Sequence, residues 1–396
     1  MAFGVSQRPG TSGEMLVRVS RSMAVRNLAA KLVLLIVLPF GCASASPPEY
    51  SVEPLPEYNA LFYNEKGWTG ADGSYSVALS DSTTLWLYSD TWIGDIVNGK
   101  HKNATMVNNS IAIQQGKEPS TAAVKFFWRR AKDGKPEAFV KPADGVGWFW
   151  IFDGVVADGK LYLFLMQIIK SGEKGVFGFK HIETWLGEVE NPHDDPLAWR
   201  ITQHKIPWGR YSKNGNMFFG SAVMRDGDFV YIYGSSEDWG EGMSGRKMII
   251  ARVPYNKMAD FEQWRFFSDG TWGVDIAGIS ELFDGIATEY SVSYQPALKK
   301  YVTIYTECGM SKNIMMRFSP TPVGPWSSAC KVYECPEYKW HKTYFCYAAK
   351  GHPEISRADE LIITYVCNSM DFWQMVKDAR IYWPRFLRIK FDVRGR

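Results

Sequence analysis

Apolar positions in this chain come in short runs split by tight polar turns, and the runs recur in pairs. Val, Ile, Tyr, Phe and Trp dominate them, and convincing amphipathic helices are few, so the pattern predicts a mostly β protein. The first pair is SYSVAL and TLWLYS about a turn at Asp81-Ser82, and the second is FDGVV and KLYLFLMQ about Asp158-Gly159. Asp-Gly between two such runs is a strong hairpin signal. The third pair, FFGSAVM and DFVYIYG, turns at Asp226-Gly227, and the fourth, EYSVSY and KYVTIYTE, turns around Pro296 to Lys299. The fifth is looser, YFCYAAKGHPEIS and ELIITYVCNS about Arg357 to Asp359.

These turns recur every roughly 60 to 80 residues, longer than the ~40 to 50 of familiar propeller repeats. A blade needs four strands, and the length leaves room for them and for elaborated loops. Further apolar runs follow several hairpins, RKMIIARV after the third and NIMMRFS after the fourth, as a meander would require. Five units predict an all-β, five-bladed β-propeller over residues 46–396, with a pair of β-sandwiches as the structural alternative. The tail segment IYWPRFLRIKF is expected to close the ring.

The first hairpin carries an aspartate at each outer end, Asp72 and Asp90. A turn centred near Asp81 pairs residues whose numbers sum to about 162, so Val77 meets Leu85, Ser76 meets Trp86, and Asp72 faces Asp90. Opposed Cβ atoms lie ~4.5 to 5.5 Å apart, and like charges that close destabilise a sheet. Close carboxylates also separate each other's pKa values, which keeps one protonated as an acid while the other is ionised as base or nucleophile. Glycoside hydrolysis uses such a pair, and the inferred spacing favours retention over inversion. Asp90, among Trp86, Tyr88 and Trp92, is the expected acid because aromatic neighbours desolvate it. Structural roles compete: Asp72 as a turn cap before Gly73, Asp90 as an Asx turn with Thr91.

Asp153 and Glu289 stand at the entry points of the second and fourth hairpins. In a propeller equivalent strand starts converge on one end of the central channel, so these two are expected to bind substrate or tune the pair. Trp68 and Trp92 are expected as sugar-stacking platforms, and His352 and Asn109 as partners for sugar hydroxyls, although both also suit structural turns.

Composition changes the picture in two ways. An aromatic share of 15%, with sixteen Trp, exceeds what the core requires and points to flat binding surfaces. The net charge of +3 arises in the first 31 residues, where Arg8, Arg18, Arg21, Arg26 and Lys31 face only Glu14; removing these from 45 basic and 42 acidic residues leaves 40 and 41. A near-neutral body has no electrostatic footprint for nucleic acid.

MAVRNLAAKLVLLIVLPFGCASAS combines basic residues, an apolar run from Leu32 to Phe40 and the small-x-small pattern Ala43-Ser44-Ala45, as an export signal does. Residues 1–45 are expected to be a signal peptide, with Met23 as an alternative start. The run is too short to span a bilayer and Pro39 interrupts it. A secreted or periplasmic protein follows, with lipidation of Cys42 the alternative. Export permits disulfides among Cys308, Cys330, Cys335, Cys346 and Cys367, and Cys330 with Cys335 flank a short turn.

GWTGADGSYSVAL and LWLYSDTWIG, followed by NNSIAI, resemble the N-terminal signature of exported bacterial five-bladed propeller proteins of formerly unknown function, related to endo-acting D-arabinanases. SPTPVGPWSS and YAAKGHPEIS resemble segments of glycosidase propellers. The resemblance implies catalytic roles for Asp72 and Asp90. Where the family has Phe-Gly-Asp-Thr, this chain has Tyr88-Ser89-Asp90-Thr91, which alters the wall beside Asp90.

The expectation is therefore an exported glycoside hydrolase acting on a furanose-containing polysaccharide, D-arabinan among them. It would work as a monomer on a glycan, with no nucleic-acid partner, no transmembrane span and no cofactor beyond a structural calcium or sodium in the channel. A non-catalytic glycan-binding propeller of the cell surface is the rival. HExxH, GxSxG and GK[ST] phosphate-loop motifs are absent.

Overall fold

The computed structural model describes residues 48–392. The expected leader and Cys42 lie outside them. Five antiparallel sheets follow one another along the chain, and each inner strand contacts the next, the fifth returning to the first. The protein is a five-bladed β-propeller.

Blade 1 comprises Lys66–Ser80, Thr83–Val97, Ser110–Gln115 and Ala123–Phe127, with Lys100–Val107 added to its second strand. Blade 2 comprises Trp148–Ala157, Lys160–Lys170, Phe179–Val189 and Ile201–Lys205. Asn216–Asp226, Phe229–Ser236, Lys247–Pro254 and Arg265–Ser268 form the body of blade 3. Blade 4 is Tyr290–Gln295, Lys300–Thr306, Asn313–Ser319 and Cys330–Glu334; blade 5 is Tyr344–Gly351, Glu360–Ser369 and Arg385–Phe391.

All five predicted turns separate first from second strands. Asp158 and Gly159 take φ of 50° and 74°, the positive values a two-residue type I′ hairpin demands. Ring closure differs from the expectation. The tail strand Arg385–Phe391 is the third of its blade, and the N-terminal strand Tyr50–Pro54 pairs with it as the fourth. The first and last described strands therefore meet in one sheet, which seals the ring through main-chain hydrogen bonds.

Apolar runs in the first two strands of each blade are buried on both faces because blades pack face to face. Leu85, Leu87, Ile151, Leu163, Leu165, Ile232 and Ile304 are all fully buried, and burial of such a side chain stabilises by about 1.5–3 kcal/mol. The expected Cys330–Cys335 pairing does not form. All five described cysteines are free; Cys330 Sγ donates to the Met316 carbonyl, while Cys335 is buried in the core around Cys346 and Cys367.

One irregularity positions the site. The pairing register between first and second strands slips in blades 1, 2, 3 and 5, at Ala71 to Tyr75, Ile151 to Gly154, Phe219 to Ala222 and Tyr347 to Lys350. A β-bulge bends a strand and re-aims its side chains. Repeated at one level around the channel, the bulges divide the strand starts from the channel below.

Candidate active site

Register in the first hairpin follows the predicted sum on both sides of the bulge: Val77 pairs with Leu85, Ser76 with Trp86 and Ala71 with Thr91. Within the bulge Asp72 and Asp90 have no paired partner, so the direct opposition that favoured retention is not formed. The bulge instead turns both side chains into a recess at the strand starts. Each is half-buried there.

Asp72 Oδ2 accepts from Tyr347 Oη at 2.6 Å and from Tyr382 Oη at 2.9 Å, and its Oδ1 is buried with no protein partner. Asn368 Nδ2 donates to Tyr347 Oη at 3.2 Å and so orients that hydroxyl. Asp90 Oδ1 accepts from Trp150 Nε1 at 3.0 Å and from Asn108 Nδ2 at 3.2 Å. Glu289 approaches from blade 4, and its Oε1 receives Lys350 Nζ at 3.2 Å. That lysine is 1% exposed; it also donates to the Gly73 and Ala348 carbonyls, at 2.6 and 3.1 Å, linking the bulges of blades 1 and 5.

Close backbone approach makes this possible. Gly70 has φ of 148°, and a Cβ there would lie 2.3 Å from the Tyr382 carbonyl oxygen. No side chain fits at that position, so blade 5 can press Tyr382 against Asp72. Ser74, Ala348 and Tyr382 all hold positive φ, at 56°, 59° and 69°. Non-glycine residues in this conformation cost energy and cluster where surrounding structure enforces them, commonly at functional sites.

Both carboxyl groups hold protons more tightly than usual. Asp72 is raised well above the ordinary range by burial, then by the neighbouring charges of Asp90 and Glu289, against which the two tyrosine hydroxyls act. Asp90 is raised to about 6 by burial, with the Trp150 and Asn108 donors opposing. Burial thus favours the protonated form of both. Aromatic neighbours do surround Asp90, but Trp150 meets it with an N–H donor rather than a bare ring.

Residues expected to bind substrate divide sharply. Glu289 belongs to the recess. Asp153 is 8% exposed and lies lower in the channel, where Oδ1 accepts the Gly154 N–H at 2.8 Å and Oδ2 the Val223 N–H at 2.6 Å, joining blades 2 and 3. Trp68, 2% exposed, stacks on Phe126 and donates to Ser110; Trp92, 5% exposed, stacks on His101. Both are core side chains with no free face for a sugar. Asn109 is fully buried and spends its amide on Val140 and Phe149, so the neighbouring Asn108 is the one that reaches the recess. His352 is also fully buried, bridging Ser76 and Thr364 between blades 1 and 5, and burial lowers its pKa to about 3.

A cavity of about 700 Å³ lies on the other side of the bulges. Its walls are the later residues of the inner strands, including Val77, Val156, Asp226, Tyr294 and Glu354. Tyr75, whose hydroxyl crosses to the Ser221 carbonyl at 3.0 Å, and Lys350, 4.2 Å above the Tyr75 ring, stand between cavity and recess. Among the described residues no group of three His, Cys, Asp or Glu has the geometry to hold a metal ion, and no helix is long and apolar enough to cross a membrane.

A family model described as a domain of unknown function, DUF5005, matches residues 56–391, nearly the whole of the described propeller. The chain belongs to this family. The match reaches all five blades and includes the recess. No curated protein matches. Among solved structures, a protein described as a "putative hydrolase" of Bacteroides ovatus aligns with a TM-score of 0.67 and 18% identity, over 85% of this chain and 90% of its own, a likeness of fold. A family 117 glycoside hydrolase of the marine bacterium Zobellia galactanivorans aligns with a TM-score of 0.45, 11% identity and coverage of 87% and 91%. A GH43_1 enzyme from Xanthomonas citri gives 0.44, 15%, 84% and 91%.

Proposed function

We propose that this DUF5005 protein is an exported glycoside hydrolase in which Asp72 and Asp90 are the catalytic pair. The observation that carries the reading is the Asp72 oxygen with no protein partner, in a recess shared with two further carboxylates. Buried polar atoms are normally satisfied, and a buried carboxylate oxygen without a donor beside like charges is a costly arrangement that a purely structural role does not require.

In this reading Asp72 retains its proton and delivers it to the glycosidic oxygen, while Asp90 serves as base or nucleophile. Tyr347 and Tyr382 fix the Asp72 carboxyl plane, and Trp150 with Asn108 fix that of Asp90. The neighbouring charges of Asp90 and Glu289 support the protonated form of Asp72. A furanose-containing polysaccharide is the substrate class we favour, arabinans first, on the resemblance of GWTGADG and LWLYSDTWIG.

Incubating the mature protein with arabinans and other plant and bacterial glycans, and analysing the released products, tests the reading. Release by the wild type and its loss in Asp72→Asn is the expected result. Equal turnover by that variant would refute the role of Asp72, and binding without turnover by the wild type would establish the glycan-binding alternative.

A further inference from the structure

The connection from second to third strand of every blade lies at the recess end of the ring. In blade 5 this connection is long, from Ser369 to Arg385, and contains the helix Phe372–Lys377. It begins immediately after Asn368, the residue that orients Tyr347 on Asp72. Trp373, 66% exposed, is the most exposed large hydrophobic side chain among the described residues.

Trp373 is held rather than loose. Its N–H is capped by Asp371 Oδ1 at 3.0 Å, and its ring meets Phe372 edge-on at 5.7 Å. Phe372 lies 5.7 Å from Trp92, two residues beyond Asp90, and the Ala379 N–H bonds the Gly99 carbonyl of blade 1. The connection is therefore tied at its start to Asp72 and through Phe372 to the strand of Asp90. Trp340, another exposed tryptophan of this region, differs: the Arg380 and Arg385 guanidinium groups cover it at 4.9 and 5.2 Å. No such cation stacks on Trp373 among the described residues.

We propose that Trp373, supported by Phe372, is a stacking platform for a sugar ring of the chain whose scissile bond lies at Asp72 and Asp90. An exposed indole presents a flat apolar face, which matches the C–H face of a sugar ring and leaves the hydroxyls to solvent. Anchoring to both carboxylate-bearing segments places the platform at the recess end of the ring. The occupant is thus a glycan longer than the unit cleaved, and this step rests on the hydrolase reading above. Trp373 contributes binding of distant units, not proton transfer.

Two measurements test the platform. On whichever glycan of the panel is hydrolysed, Trp373→Ala is expected to raise KM for long chains about tenfold, with kcat for the shortest cleaved oligosaccharide within twofold of wild type and Trp373→Phe restoring most of the loss. Tyr294→Ala, which removes a comparably exposed aromatic from the opposite end of the ring, is expected to change neither. An unchanged KM for long chains in Trp373→Ala would overturn the proposal while leaving the hydrolase reading intact. Electrophoresis through gels containing arabinan, xylan or galactan separates the two claims further. Retardation of wild type and Asp72→Asn by at least one glycan, lost in Trp373→Ala, supports the platform even where nothing is hydrolysed; retardation equal in Trp373→Ala, or absent from wild type, overturns it.

Discussion

Carboxylates gather at both ends of the propeller channel, and the two groups behave differently. At the strand starts Asp72, Asp90 and Glu289 act on one another, and Asp72 Oδ1 is buried with no protein partner. Lower down and at the far end, Asp153 accepts two backbone N–H groups, Glu354 accepts Ser76 Oγ at 2.7 Å, and Asp226 accepts Tyr301 Oη. Raised pKa values occur in both groups, since burial lifts Asp153 well above the usual range and Glu354 to about 7. A shifted titration therefore does not by itself distinguish a working carboxylate from a structural one. Hydrogen bonding differs between them: Asp153, Glu354 and Asp226 accept donors that join parts of the fold, whereas Asp72, whose Oδ2 accepts two tyrosine hydroxyls, has its Oδ1 buried without a protein donor.

The sharpest way to break this distinction is to neutralise one acid from each end. Asp72→Asn is expected to lower kcat/KM by about 10²- to 10⁴-fold, the usual worth of a positioned acid or base, while Glu354→Gln stays within about threefold of wild type. Steady-state kinetics on the hydrolysed glycan decide it, and equal losses in both variants would erase the contrast. Next in size is a stability effect of opposite placement. Asp153→Ala leaves the Gly154 and Val223 N–H groups without their acceptor, and each buried orphan costs about 1–3 kcal/mol, so urea melts should show a loss of about 2–4 kcal/mol with turnover per folded molecule retained.

Much of the frame that supports this contrast was legible in the residues. Turn chemistry at Asp81-Ser82, Asp158-Gly159 and Asp226-Gly227 marked the hairpins, and simple antiparallel arithmetic placed Val77 against Leu85. Local geometry failed where a bulge intervened, because nothing in Ala71-Asp72-Gly73-Ser74 announces which residue loses its partner. It failed by one residue at Asn108 and Asn109, whose roles depend on which side of the chain faces the recess. Trp68 and Trp92 looked like platforms, but aromatic content alone does not separate a core ring from an exposed one. Tyr347 and Tyr382 lie 275 and 310 positions from Asp72, so only ring closure brings them together. One signal was available: Lys350 interrupts the apolar strand YFCYAAKG, and a lysine there calls for buried acceptors.

Acid–base behaviour sharpens the contrast at a smaller scale. If Asp90 must be ionised and Asp72 protonated, kcat/KM rises with pH through about 6 and falls again as Asp72 loses its proton. Trp150→Phe removes a donor that favours the Asp90 carboxylate, so the acidic limb should move upward by roughly 0.5 to 1 pH unit. A limb that stays in place would show that another group sets it.

Smallest, and most diagnostic of strain, is the pH dependence of stability. The folded pKa of Asp90 is raised to about 6 from an ordinary value near 3.8. Between those values the folded chain holds a proton that the unfolded chain has released, so stability falls as pH rises through the window and stays lower above it. Asn cannot ionise, so Asp90→Asn should be more stable than wild type at pH 7.5, by roughly 1–2 kcal/mol after allowance for its partial exposure, with the gap closing by pH 4. Urea melts at the two pH values measure it. A gap equal at both would mean that packing, not charge, separates the variants. A gap that closes as expected would show that the recess holds the Asp90 carboxylate at a cost to the fold.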